Sequence, residues 1–139
     1  MPEKYIIVAG ADPDAKRVEK IKTISGNRDF LSFASDKDFL AKPQMADVVI
    51  IGTQDDYHYE PCVNAMKKGY DIILEKPIAD TVEKIAEIER VAKENSRSID
   101  VCYVLRYTPF YKKVKEIVDS GVLGDIVCVS ATEGVEPWH

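Results

Sequence analysis

The sequence predicts an α/β fold built on a doubly wound parallel sheet, and three observations carry that reading. Short β-branched apolar runs alternate with amphipathic stretches along the chain. The run Val48 to Gly52 is apolar without a break, as in a strand buried on both faces. No internal repeat and no low-complexity linker interrupts the alternation. Parallel strands joined by helices cross over with a right hand, which lays helices on both faces of the sheet.

Taken in order, Tyr5 to Ala9 reads as the first strand. Asp12, with Pro13 behind it, supplies a cap and a first-turn proline for a helix to about Thr23. A short strand is expected near Leu31 to Ala34, then a short helix from Asp36 to Ala41 capped by Ser35. After Val48 to Gly52 comes a helix from Pro61 to Lys68 that stops at Gly69, because glycine adopts the left-handed backbone on which helices end. Asp71 to Leu74 is the next strand. Asp80 with Glu83 forms a capping box for a helix to about Asn95, whose apolar residues Val82, Ile85, Ile88, Val91 and Ala92 recur at helical spacing. Asp100 to Val104 reads as a strand, Pro109 to Ser120 as a helix, and Ile126 to Thr132, beyond Gly121 and Gly124, as a last strand.

Composition narrows the function. Of 139 residues, 45% are hydrophobic and 31% charged, the balance of a globular domain and not of a disordered chain. The net charge of −5 is modest, and lysines and arginines lie scattered among acids, so no basic stripe offers itself to nucleic acid or a membrane surface. No apolar run approaches the roughly 18 to 20 residues that span a bilayer, and the start lacks a signal-peptide pattern, which places the expected site of action in the cytoplasm. Cys62, Cys102 and Cys128 are isolated in apolar contexts where a small buried thiol packs well, without CxxC spacing. With only His58 and His139 beside them, no metal site is expected.

In a doubly wound sheet, ligands bind outside the carboxyl ends of the strands, so the polar residues just past each strand are the candidates. Asp12 follows the first strand, where a carboxylate accepts hydrogen bonds from both hydroxyls of an adenine ribose; capping the next helix is the bland alternative. The loop Thr53 to His58 follows the third strand, and its amides and small polar side chains suit the flank of a dinucleotide. An isolated loop histidine such as His58 is more often a hydrogen-bonding residue at a helix start than a catalyst. Glu75-Lys76-Pro77 follows Asp71 to Leu74, offering a carboxylate for a ribose hydroxyl and an ammonium for a substrate oxygen; an exposed ion pair is the alternative. Arg106-Tyr107 follows Asp100 to Val104, with a charge on a solvated loop as its plain reading.

These segments in combination resemble a known family. ADVVIIGTQDDYH, the turn Ala65 to Gly69, DIILEKPIADTVEKI and RYTPFYKKVKEIVDSGVLGDI, at these separations, are similar to the glucose-fructose oxidoreductase, inositol dehydrogenase and MocA family from about Tyr5 to Thr132. The resemblance implies a Rossmann-type fold and NAD(P)-dependent hydride transfer to or from a sugar or polyol. It implies that Asp12 binds the adenine ribose, that Thr53 and His58 lie along the cofactor, and that Glu75 contacts the nicotinamide ribose. Lys76 then stands beside the reacting carbon as the catalytic residue and a cofactor contact, and Arg106 contributes to the cleft. A tight turn with a cis Lys76-Pro77 bond is implied as well. Thr53-Gln54-Asp55 departs from the Thr-Pro-Asn usual in the family.

The family's opening strand and its glycine-rich turn would precede Tyr5, and that turn holds the pyrophosphate at a helix N-terminus. The expected organisation is therefore a partial NAD(P)-binding domain over residues 1–123 and the start of a truncated α+β substrate domain over 124–139. His139 does not match the family's catalytic histidine, so the chain by itself is expected to be inactive and to bind its cofactor weakly or not at all. Asp12 with no base directly after it favours NAD, while Lys16 and Arg17 a turn later are the residues that would admit NADP. A non-catalytic nucleotide sensor on the same fold is the alternative reading. Without the first strand, the strands at Tyr5 and Val48 keep unpaired edges, so a homodimer or higher homo-oligomer is expected, held by strand exchange or strand addition with Ile126 to Thr132 as the pairing strand.

Overall fold

The structure, a computed structural model, describes residues 5–134. The elements run in the order β1 (Ala9–Ala11), α1 (Ala15–Ser25), β2 (Leu31–Phe33), α2 (Asp36–Leu40), β3 (Val48–Ile51), a 3-10 turn (Asp55–Tyr57), α3 (Tyr59–Lys67), β4 (Asp71–Leu74), α4 (Val82–Asn95), β5 (Ile99–Val101), a second 3-10 turn (Val104–Tyr107) and α5 (Pro109–Asp119). The chain divides into two compact units, one ending at Cys102 and one beginning at Tyr103.

All strand pairs in the first unit are parallel, as the alternation of strands and helices predicts, but they form two sheets. β1 pairs with β2, Ala9 opposite Leu31 and Ala11 opposite Phe33. β3, β4 and β5 form the second sheet, with Val48 opposite Asp71 and Ile72 opposite Ile99. A strand extends only as far as its ladder partner. β1 is accordingly not the expected Tyr5 to Ala9 but Ala9–Ala11, the residues that β2 meets, and Tyr5 and Ile6 lie exposed before it. β5 is likewise shorter than Asp100 to Val104, because Leu74 closes the β4 ladder at Val101.

The expectation that β3 is buried on both faces is also corrected. Ile51 is 3% exposed and Ile50 71%, so one face packs and the other stands open. β3 pairs with β4 alone, and nothing among the described residues pairs with its other edge. No strand forms over Ile126 to Thr132, where Val127 and Val129 are exposed; an isolated extended segment without a ladder partner leaves its backbone groups to water. Trp138 and His139 lie outside the described residues.

Two helix starts differ from expectation for one reason: the nearer carboxylate is already engaged. Asp12 Oδ1 accepts the Asp14 N–H at 2.8 Å, so Asp14 becomes the cap of α1, accepting the Lys16 N–H at 2.9 Å. Asp80 pairs with Lys84 Nζ at 2.8 Å, and Thr81 caps α4 by accepting the Lys84 N–H at 3.3 Å. Ser35 caps α2 as expected.

The core gathers where α3, β4 and α4 meet. Cys62, Met66, Tyr70, Leu74 and Val91 are fully buried, with Ile72 and Ile88 almost so. Full burial of aliphatic or aromatic side chains contributes about 1.5–3 kcal/mol each before ordering costs, so these few carry much of the unit. The Tyr70 hydroxyl, too polar to bury unpartnered, accepts the Met45 N–H at 3.2 Å. Phe39 stacks between Tyr70 at 5.5 Å and Phe33 at 5.7 Å, linking the β1–β2 sheet to this core through α2. At the entry to β4 the Ser98 backbone N–H donates to Asp71 at 2.7 Å, and this donation holds the Asp71 carboxyl below the usual carboxylate range.

Gly69 joins α3 to β4 in the left-handed region, at φ +100°. Its carbonyl accepts from Gln44 Nε2 at 3.2 Å and Arg97 Nη1 at 3.0 Å, so both flanks of the sheet grip this turn. A Cβ there would sit 2.9 Å from Gln44 Oε1. Gly69→Ala is expected to lower stability by about 1–2 kcal/mol, the cost of a left-handed L-residue. Urea unfolding followed by circular dichroism reads it, and an unshifted midpoint would remove this role from the turn.

Candidate functional site

Parallel pairing brings the carboxyl ends of β3, β4 and β5 to one side of their sheet. The Glu75 N–H donates to the Ile51 carbonyl at 2.9 Å and the Cys102 N–H to the Leu74 carbonyl at 2.8 Å. The ladder thus carries on by one bond past each strand and fixes where the loops leave. Thr53 leaves after β3 and Glu75-Lys76 after β4. Three of the predicted residues therefore stand on adjacent strand ends.

Thr53 is exposed, and its hydroxyl donates to the Tyr57 carbonyl at 3.1 Å, closing the loop over the 3-10 turn. Glu75 is half-buried and accepts the Lys76 N–H at 3.2 Å. Lys76 is exposed, and among the described residues its ammonium has no carboxylate within ion-pair distance. The surface ion pair weighed against a site role is thus not formed by Lys76. The Lys76-Pro77 bond is cis, as the resemblance implies.

His58 differs from the other candidates. It is fully buried; Nδ1 lies 2.6 Å from the Pro77 carbonyl oxygen and Nε2 lies 3.0 Å from that of Thr53. Both nitrogens are occupied by backbone, so any part it plays in a nucleotide site runs through these two loops. It precedes α3, yet its side chain makes no cap bond to that helix.

Asp12 follows β1 and is half-buried, its side chain 25% exposed. Oδ2 faces Arg17 Nη1 at 3.5 Å, while Oδ1 is held by the Asp14 N–H. It does not cap α1, which removes the bland alternative. Arg17, in the first turn of α1, reaches back to Asp12 and also to Asp14, at 3.9 Å. Arg106 belongs to the second unit, in the turn Val104–Tyr107, with its guanidinium 4.9 Å from the Tyr103 ring centre.

No helix among the described residues is long and apolar enough to cross a membrane. A parallel α/β sheet with polar residues collected past the carboxyl ends of its strands defines the class of nucleotide-binding α/β proteins. Residues 2–103 match the family described as "Oxidoreductase family, NAD-binding Rossmann fold", and the chain belongs to that family. Among its relatives is a Bacillus subtilis chain named only as an oxidoreductase, YteT, 26% identical over 97% of this chain and 32% of the relative. Another is the D-xylose 1-dehydrogenase (NADP(+)) of Hypocrea jecorina, 23% identical over 87% of this chain and 31% of the relative. A scyllo-inositol dehydrogenase of Lactobacillus casei, solved with NAD(H) and scyllo-inositol, shares the fold at a TM-score of 0.75, with 22% identity over 85% of this chain and 34% of that one. The chain spans about a third of the length of the curated relatives it matches.

Of the cysteines, Cys102 alone stands at one of these strand ends, just past β5. Cys62 sits in the core, where burial pushes its thiol up to about 11, and Cys102 is half-buried. Cys128, expected to pack, is exposed instead because the segment that carries it has no ladder partner. Ellman's reagent at about pH 8 is expected to modify Cys128 at once and Cys62 only on unfolding, since the thiolate is the reactive form. Rapid modification of Cys62 in the native chain would contradict its burial.

Proposed function

We propose that the chain is the nucleotide-binding part of an NAD(P)-dependent oxidoreductase that moves hydride between nicotinamide and a secondary alcohol carbon of a sugar or polyol. The reading rests on one observation above all: Asp12, Thr53, Glu75 and Lys76 all sit just past the carboxyl ends of parallel strands. Family membership and the inositol and xylose dehydrogenases among its relatives support it. NAD is the favoured cofactor, because the Asp12 carboxylate suits a free ribose and repels a 2′-phosphate; Arg17 beside it is the residue that would offset that repulsion for NADP.

The donor set fits such a group. Asp12 would accept hydrogen bonds from the adenine ribose, Thr53 and the loop to His58 would flank the dinucleotide, and Glu75 would accept from the nicotinamide ribose. Nicotinamide supplies the hydride chemistry when bound. Lys76, with no ion-pair partner among the described residues, would donate an N–H to the substrate oxygen and stabilise the alkoxide form on oxidation, with the hydroxyl proton leaving to water. We place the nucleotide-binding domain at residues 1–123 and the start of a substrate domain at 124–139, and we place the protein in the cytoplasm.

The chain by itself is expected to bind NADH weakly. Among the described residues the helix N-terminus after β1 carries two carboxylates, Asp12 and Asp14, so it offers a ribose anchor and no anion site beside it. A Kd of about 0.1–1 mM, some 4–5.5 kcal/mol, is expected. Amide shift changes on titration should concentrate at Asp12, Thr53 and Glu75, and Asp12→Ala should weaken them about tenfold, as for one charge-assisted hydrogen bond. Shifts confined to other regions would overturn the site, and a low-micromolar Kd would overturn the account of the helix N-terminus.

We further propose that the chain is a homodimer or higher homo-oligomer. The open edge of β3, with Val48 43% and Ile50 71% exposed, and the exposed segment Ile126 to Thr132 are complementary: one lacks a ladder partner and the other is apolar and pairs with no strand among the described residues. Light scattering after gel filtration should give at least twice the 15.6 kDa of one chain, and Ile50→Lys should return it to monomer. A monodisperse monomer across a hundredfold concentration range excludes it.

A further inference from the structure

We propose that His58 is a positioning residue: it touches neither cofactor nor substrate, and it sets the turn presenting Glu75 and Lys76 by tying the Pro77 carbonyl to the loop that opens at Thr53. The role assigned to Lys76 rests on the function proposed above; the tie itself does not.

Three observations carry the inference. First, the ring is fully buried with a backbone carbonyl at each nitrogen, 2.6 Å from Nδ1 and 3.0 Å from Nε2. It therefore has no free edge for a ligand. Second, the commonest role for a histidine at this place, capping the helix it precedes, is absent, so the ring's bonds all go to the two loops. Third, among the described residues the Pro77 contact is the one hydrogen bond tying the backbone from Lys76 to Asp80 to another element. Pro77 has no N–H, and the Lys76 N–H is spent on the neighbouring Glu75 side chain. His58 is itself held firmly, because it leads into α3, whose Cys62 and Met66 are fully buried.

The imidazole suits this task by shape. Its two nitrogens diverge from a rigid ring, so one side chain reaches two loops that run past opposite edges. A neutral ring carries one N–H, so in either tautomer it donates to one loop and only the ring protonated at both nitrogens donates to both. Amide side chains separate the two arms. Asn keeps a donor close to the place of Nδ1, facing Pro77, and Gln keeps one close to the place of Nε2, facing Thr53.

Backbone order parameters from nitrogen relaxation on the full chain test the proposal without any nucleotide. His58→Gln should drop Lys76, Ile78 and Ala79 from about 0.85 to below about 0.6 while Gln54 and Asp55 hold; His58→Asn should do the reverse, with α4 as the internal control. In the wild-type chain, a slowly exchanging imidazole proton with a nuclear Overhauser contact to Pro77 is expected. Equal loss at both loops in both variants, no loss, a globally unfolded spectrum in both, or absence of that proton contact each overturns the proposal. If the wild-type chain binds NADH, His58→Gln should weaken it about tenfold and His58→Asn should leave it within about twofold; equal weakening by both variants overturns the positioning role. If it binds none, the function proposed above fails alone and the loop dynamics still decide the case of His58.

Discussion

The parallel ladder of β3, β4 and β5 is the constraint from which the rest follows. Antiparallel pairing would send alternate loops to opposite ends, whereas parallel pairing sends every carboxyl end the same way and forces each return through a helix. The α3 return takes Val48–Ile51 to Asp71–Leu74, and the α4 return takes Asp71–Leu74 to Ile99–Val101. Both helices then pack against each other and bury their apolar faces on one face of the sheet, which is why the core collects at Met66, Leu74 and Val91. The loops after the strands inherit a common side and little else: no regular structure, no core, and therefore freedom to carry polar chemistry.

That division shows in the burial of neighbouring residues. Leu74 is fully buried, Glu75 half-buried and Lys76 exposed, so three consecutive positions step from core to solvent. The first anchors, and the last is available. A lysine on a free loop would lose its direction to rotamer entropy, whereas a lysine two bonds past a buried strand end starts from a fixed backbone. The opposite face of the same sheet has no such support. Ile50 is exposed on β3 while its neighbour Ile51 is buried, and the unpaired edge lies on that strand. Rigidity and vulnerability are thus separated by a single peptide along β3.

How much of this was legible in the sequence depended on whether the signal was local. Asp71 to Leu74 matches the observed strand because its apolar run is bounded by Gly69 before and Pro77 after, both backbone signals. Ser35 was readable as a cap for the same reason. The caps Asp14 and Thr81 were not, since each is selected by a competing contact made by the carboxylate just before it, and two adjacent candidates look alike until one is taken. Strand lengths at β1 and β5 were overread because periodicity reports what a segment would do in a ladder, not how long its partner is. The absent strand over Ile126 to Thr132 is the extreme case: strong propensity, no partner.

The candidate site shows the same split. Thr53, Glu75 and Lys76 were readable because fold topology alone assigns them to strand ends, with no knowledge of contacts required. The work of His58 was not, because its partners are the carbonyls of Thr53 and Pro77, and every residue has a carbonyl. A side chain that binds backbone 19 positions away leaves no pattern in the letters of either segment. What the sequence did mark was an isolated histidine before a helix, read as a hydrogen-bonding residue at a helix start, and the geometry keeps that reading while sending its bonds to two loops and none to the helix. A buried polar side chain must be satisfied, and once the local helix declines to satisfy it the bonds must go to distant backbone. In a sheet of this kind the nearest backbone with carbonyls unspent by the ladder is found in the loops past the strand ends. A buried histidine at the start of a crossover helix is thereby drawn toward the very loops that carry the candidate chemistry.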